Sequence, residues 1–232
     1  MHFIDRDNFK DAPLDKLKEY QEEYKNNLPN SPKPKWNNDK IRVPLGKLFL
    51  NNCAYCGIYT DIGSDAEVDH FCPKNICKEA EKVFGWENYV WSCHPCNNYK
   101  RENHPFLNPC SKDEMKWLYF NHYSGKYFYH SDSPKDIIKK YNLTNRKSYI
   151  NGKNRPNRRK IIAKRVDSVL KDIKLYSKLI ITKDKLDKSL KDLKDIISEK
   201  DYLLLIKFLI KEFINNNDDF NYKLEELFIV NL

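Results

Sequence analysis

Glu67-Val68-Asp69-His70-Phe71, preceded by Cys53-Ala54-Tyr55-Cys56 and followed by Cys93-His94-Pro95-Cys96-Asn97, decides how this chain of 232 residues reads. Two Cys-x-x-Cys pairs, each compact enough for one tight turn, offer four thiolates, the number that closes a tetrahedron around zinc. A closed four-sulfur site keeps no open position for chemistry, so Cys53, Cys56, Cys93 and Cys96 are expected to hold a structural Zn2+. The ion would staple the stretch between the pairs. There His70 has the Asp69 carboxylate beside it, and a histidine so placed can act as a base next to a second metal. Alternation of Val68 and His70 with Asp69 suits a strand, whose successive side chains face opposite ways. Residues 86–90 read as a second strand or as a loop leading to Cys93. Asn97-Asn98-Tyr99-Lys100-Arg101 reads as a helix start, with Asn97 projecting back across the strands.

Seven cysteines is an odd number, and in a reducing compartment Cys-x-x-Cys pairs serve as metal ligands more often than as disulfides. Cys72, Cys77 and Cys110 are left over and read as small buried or inert thiols. No apolar run approaches a membrane span, and Met1-His2-Phe3-Ile4-Asp5-Arg6-Asp7 lacks the basic-then-apolar order of a secretory signal, so a cytoplasmic location is expected. His94, His104, His122 and His130 have no partner at metal spacing and read as structural or surface histidines.

Charge is unevenly placed. Residues 1–130 carry 18 Lys and Arg against 18 Asp and Glu, whereas residues 131–232 carry 24 against 15, so the net charge of +9 lies in the second part. Residues 146–165 hold nine basic side chains and no acidic one. A polyanion suits such a run, because each neutralised phosphate releases condensed counterions. Arg155, Arg158 and Arg159 are its candidate nucleic-acid contacts, and a solvated helix start with a basic face is the alternative.

The pattern outside the metal region predicts an α+β, mostly helical fold in three stretches: an N-terminal helix and linker over 1–52, the zinc-stapled core over 53–132, and a basic helical region over 133–232. Leu14, Leu17, Tyr20 and Tyr24 give a short amphipathic helix. Four prolines over 28–44 predict a loop with little regular structure, with a helical turn at 45–50. Residues 116–120 and 126–129 are aromatic runs joined through Ser124-Gly125, a strand pair whose rings read as core or sheet surface before base-stacking platforms. Ser133-Pro134 suits a helix start. Ile162, Val166, Val169, Ile173, Tyr176 and Ile180 form a helical seam, Leu186, Leu190, Leu193 and Ile197 a second, and residues 202–214 a buried third helix.

Taken in order, Cys53-x-x-Cys56, Val68-Asp69-His70-Phe71-x-Pro73-Lys74, Trp86-x-Asn88-Tyr89 and Cys93-x-x-Cys96-Asn97-x-x-Lys100 resemble the HNH endonucleases of the ββα-metal type. Within that family the chain is similar to the PtuB nucleases of Septu-type anti-phage systems, which also accompany some retrons. This nearer resemblance rests on the Asp69-His70-Phe71-x-Pro73-Lys74 and Trp86-x-Asn88-Tyr89 motifs, on Ser92-Cys93, and on the basic helical second half. The resemblance implies a metal-dependent phosphodiesterase acting on DNA first and on structured RNA such as tRNA second. It implies His70 as general base, Asp69 and Asn97 as ligands of a catalytic Mg2+ or Mn2+, and Asn88 as the residue that pins the loop by hydrogen bonds. Lys100 becomes either a phosphate contact or an exposed helix lysine. A PtuA-like ATPase partner is implied too. Asn97 stands where the family has its last histidine, and its amide oxygen suits magnesium better than zinc or nickel. The competing reading is a non-catalytic zinc module that binds nucleic acid or scaffolds a complex. Such a module requires the cysteines and the basic run but has no use for Asp69, His70 and Asn97.

Overall fold

A computed structural model describes residues 1–26, 36–61, 63, 65–152 and 154–217 of the protein. The fold is α+β and mostly helical, with two small antiparallel sheets. Helices α1 (Leu14–Asn26) and α2 (Asp39–Leu48) precede strand β1 (Ala66–His70), the short helix α3 (Ala80–Val83) and a 3-10 turn at Trp86–Asn88. Strand β2 (Tyr89–Cys93) then runs straight into α4 (His94–Lys100). After α5 (Lys112–Met115) come β3 (Leu118–Asn121) and β4 (Lys126–Tyr129), followed by α6 (Lys135–Lys147), α7 (Arg155–Ser177), α8 (Lys183–Ser198) and α9 (Leu203–Asn215).

Strands β1 and β2 pair antiparallel with Asp69 opposite Val90 and His70 opposite Tyr89. Together with α4 they make a ββα unit, and α2 packs against both strands. The expected loop over 28–44 is corrected in its later part: α2 begins at Asp39, because the Asn38 side chain accepts from the Lys40 amide at 3.1 Å and caps an otherwise orphaned helix start. Pro44 lies inside that helix. Residues 27–35 fall outside the described residues. Helix α4 likewise begins at His94, three residues before the expected start, with Pro95 in its first turn where a missing N–H costs no bond.

The aromatic runs form the β3–β4 pair, with Phe120 and Tyr127 buried. Their turn seats on the start of α7. Gly125 has φ +67, and a Cβ there would stand 1.9 Å from the Pro156 carbonyl oxygen, so only glycine fits. In α7 the seam of Ile162, Val166, Val169 and Ile173 is buried, and it packs against α8 and α9. Ile180 does not extend it: the helix stops at Ser177, and Ile180 is 62% exposed. Leu186, Leu193 and Ile196 provide the buried face of α8.

One hydrophobic cluster runs through all three expected stretches, from Met1 and Ile4 through Tyr55, Trp91 and Phe106 to Ile210. The N-terminal segment is thus part of the core, with the Ile4 amide donating to the Pro109 carbonyl at 2.9 Å. Among the described residues no helix is long and apolar enough to cross a membrane.

Candidate active site and metal centre

Cys53 and Cys56 lie on the turn after α2, Cys93 closes β2, and Cys96 sits in the first turn of α4. All four are buried, and their sulfur atoms lie within 4.8 Å of one another. Cys56 Sγ and Cys93 Sγ are 3.8 Å apart. A tetrahedron with Zn–S arms of about 2.3 Å has edges of roughly 3.8 Å. The four thiols can therefore hold a metal ion such as zinc, and the donor set is the one zinc selects. A metal ion held there would tie the segment after α2 to the β2–α4 junction.

His70 ends β1 and is 6% exposed. Its Nε2 lies 2.9 Å from the Val83 carbonyl oxygen, which also accepts from the Tyr89 hydroxyl at 2.9 Å. A carbonyl only accepts, so Nε2 carries the hydrogen and Nδ1 the lone pair. Trp36 and Tyr89 flank the ring edge-to-face at centroid distances of 4.9 and 5.2 Å. Burial pushes the His70 pKa down to about 4, and the Lys74 and Lys100 charges act in the same direction against the Val83 bond. At neutral pH the imidazole is uncharged.

Asn88 fastens the loop that follows His70. Its Oδ1 accepts from the Cys72 amide at 2.6 Å, and its Nδ2 donates to the Cys72 and Lys82 carbonyls at 3.1 and 2.8 Å. The side chain is used up in fastening the segment after His70 to the segment around α3. The same segment is closed covalently, which corrects the reading of Cys72 and Cys77 as inert thiols: the two form a disulfide. The turn at Pro73, whose carbonyl accepts from the Ile76 and Cys77 amides at 2.9 Å, brings them together. Cys110 remains a free thiol, as expected.

Asp69, beside His70 at the end of β1, is 5% exposed. Its Oδ1 accepts from Lys100 Nζ at 3.0 Å and its Oδ2 from the Tyr55 hydroxyl at 2.6 Å. Burial raises the Asp69 pKa, while Lys100 and Tyr55 pull it down. Lys100 is fully buried and also donates to the His70 carbonyl at 2.8 Å. Neither expectation for Lys100 survives: an ammonium with no exposed surface, committed to Asp69 and to the strand backbone, reaches no phosphate and is no surface lysine.

Glu67 is the residue that sequence reasoning missed. Its carboxylate accepts from Asn97 Nδ2 and, at 2.6 Å, bonds His94 Nδ1, whose pKa it raises. Because the amide nitrogen of Asn97 is held by Glu67, its Oδ1 turns away and accepts no hydrogen bond among the described residues. Glu67 and Asp69 are two apart on β1, hence on one face, and that period-2 signal was present in the sequence.

Asp69, His70 and Asn97 line one cleft of about 390 Å³ together with Trp36, Lys74 and Arg101. The ammonium of Lys74 stands 3.6 Å from the centre of the Trp36 ring. For a hard divalent cation the donors fit in kind, a carboxylate oxygen and an amide oxygen. Asp69 would hold such a cation in competition with the Lys100 ammonium, which would lower its affinity.

The arginines of the basic run are placed differently from expectation. Arg159 is fully buried and donates to the Gly125 and Ile150 carbonyls at 2.9 and 2.6 Å, with its guanidinium 4.6 Å from the Tyr127 ring centre. Its charge fixes the β3–β4 turn to α7 instead of meeting phosphate. Arg158 pairs with Asp201 at 2.6 Å, and Arg155 is half-buried near Cys56. None of the three lines the cleft. Compared with known proteins, no family model matches the chain, and no curated protein and no solved structure matches it.

Proposed function

We propose that this protein is a metal-dependent endonuclease of the HNH type, cutting phosphodiester bonds in DNA or structured RNA. The observation that carries the reading is the cleft in which Asp69, His70 and Asn97 meet, although the last lies 27 positions from His70. His70 Nδ1 is the general base, removing the proton of the attacking water. The Val83 carbonyl holds the ring in the tautomer that leaves Nδ1 basic, and burial keeps it neutral. Asn88 positions the loop beneath the cleft. Lys74 and Arg101 supply positive charge at its wall. Asp69 and Asn97 would hold Mg2+ or Mn2+, which when bound neutralises charge developing on the phosphorus oxygens and the leaving oxygen. Zn2+ on the four cysteines is structural. A non-catalytic zinc module has no use for a buried histidine with a prescribed tautomer facing a cleft.

The wider reading, in which the nuclease serves an anti-phage system of the Septu or retron-associated kind beside a PtuA-like ATPase, rests on the motif resemblance and is part of the proposal. The test is strand scission with and without Mg2+ or Mn2+, alone and with a neighbouring ATPase, in native, Asn97→Ala and Glu67→Gln proteins. Metal-dependent cutting that is lost in Asn97→Ala, and that needs more metal in Glu67→Gln, supports the reading. Cutting indifferent to Asn97 contradicts the assignment of the metal ligands.

A further inference from the structure

Helix α6 carries a second basic surface, which shares only Arg146 with the run that the sequence singled out. Lys135, Lys139, Asn142 and Arg146 are exposed and fall at i, i+4, i+7 and i+11, one face of a helix. Among the described residues none of these three cations makes an ion pair, whereas Lys140, on the other side of α6, is committed to Glu114 at 2.7 Å. Asp136 is the helix's one acidic residue. The basic face forms one wall of a groove of about 540 Å³, whose other wall is His104 and the proline that follows it.

That groove adjoins the cleft. His104 meets Phe71, the residue after His70, edge-to-face at 5.6 Å. Arg101, at the cleft wall, is three residues from His104, and α6 packs against α4. Beside the same junction the exposed Tyr99 ring of α4 lies 4.9 Å from Tyr149, just past the end of α6.

We propose that the exposed face of α6 is the track along which the phosphate backbone of the substrate strand leaves the cleft, with Lys135, Lys139 and Arg146 as phosphate contacts. The inference rests on the nuclease reading of the cleft and adds where the strand lies. Lys135 to Arg146 spans about 16 Å of helix axis at 1.5 Å per residue. That length matches about five steps of one strand at 3.4 Å each. Unpaired cations on a rigid helix suit this work because phosphate contacts position a strand without reading its sequence. The aromatic pair at Tyr99 offers a surface for a splayed base.

The test measures binding of a fluorescein-labelled duplex and of its single strand to full-length, zinc-loaded protein across a salt series, without added Mg2+ or Mn2+ so that no strand is cut. Native protein is compared with Lys135→Gln/Lys139→Gln/Arg146→Gln and with Lys188→Gln/Lys191→Gln/Lys194→Gln, which removes equal charge from α8. Losing three phosphate contacts makes the slope of log K against log salt shallower by about 2 on a single strand. The α6 variant is expected to show that change and the α8 variant none. Equal slopes in native and α6 variant, or equal losses in both variants, overturn the track and leave the α6 face for an acidic protein partner. The nuclease reading is judged separately, by cutting: a protein that cuts but whose α6 variant binds and cuts normally retains the nuclease and loses the track. One that binds through α6 and never cuts does the reverse.

Discussion

Asp69 and Lys100 meet at 3.0 Å with almost nothing of either exposed to water, yet they are 31 positions apart in the chain. Sequence spacing made Asp69 and His70 legible, because a carboxylate-histidine dipeptide between two Cys-x-x-Cys pairs has few other uses. It could not say that Lys100 turns inward, since a lysine near a helix end is solvated unless a tertiary partner waits for it, and that partner sits on another element. Arg159 escaped for the same reason: its acceptors are backbone carbonyls of a hairpin turn and a loop. His70 has a testable pH signature. A free histidine titrates near 6.5, whereas burial holds this one to about 4. The folded state thus refuses a proton that the unfolded chain accepts, so the stability His70 contributes is present above pH 6.5 and is lost as pH falls toward 4. Between pH 7 and pH 5 the loss is ~2 kcal/mol. Urea unfolding at both pH values should therefore show native protein losing that much more stability than His70→Gln; equal losses would contradict the buried, neutral imidazole.

At the scale of elements, periodicity did well where one face of a helix meets the core and poorly at helix ends. The α7 seam is buried as far as Ile173, but a terminus depends on the chain's next turn, and the α7 stop at Ser177 carries no proline or glycine signal. Val169 is 2% exposed on α7, the helix that packs against α8 and α9. Val169→Asp buries a charge with no partner, a change expected to cost more than about 3 kcal/mol and to abolish the cooperative thermal transition. A variant that kept that transition would remove the seam from the core. The Cys72–Cys77 loop was not legible, because spacing alone does not separate a disulfide from two thiols. With only a short segment enclosed, opening it is expected to cost about 2 kcal/mol in the chain-entropy description. Thermal melts of native protein and Cys72→Ala/Cys77→Ala, without reductant, measure it; identical melting temperatures would mean that Asn88 alone fixes the segment.

Across the whole molecule, one core joins the N-terminal segment, the ββα unit and the helical second half, so the boundaries suggested by composition are not boundaries of packing. The four-cysteine site lies inside that core, and Arg155, from the start of α7, reaches its neighbourhood. Metal removal should consequently be felt beyond the turn that binds it. Stripping the protein with a strong chelator at neutral pH is expected to release zinc and to lower the melting temperature of both halves together, seen in one transition by far-ultraviolet circular dichroism. Loss of metal with an unchanged melt would show that the cysteines are not a folding staple. The α+β, mostly helical class and the four-cysteine cluster were thus readable from the sequence. The placement of the basic side chains was not, because charge counts do not distinguish a cation turned inward from one turned toward solvent.

The most direct test of the central claim, that His70 in this cleft is the base of a phosphodiesterase, is cleavage of plasmid DNA and of bulk tRNA with Mg2+ or Mn2+ by native and His70→Ala proteins. Zinc content and thermal transition are to be matched between the two. Metal-dependent cutting by the native protein, falling by about 10²–10⁴-fold in His70→Ala, is the expected result. Equal cutting by both, or none by the folded, zinc-loaded native protein on either substrate even with a neighbouring ATPase added, would contradict it.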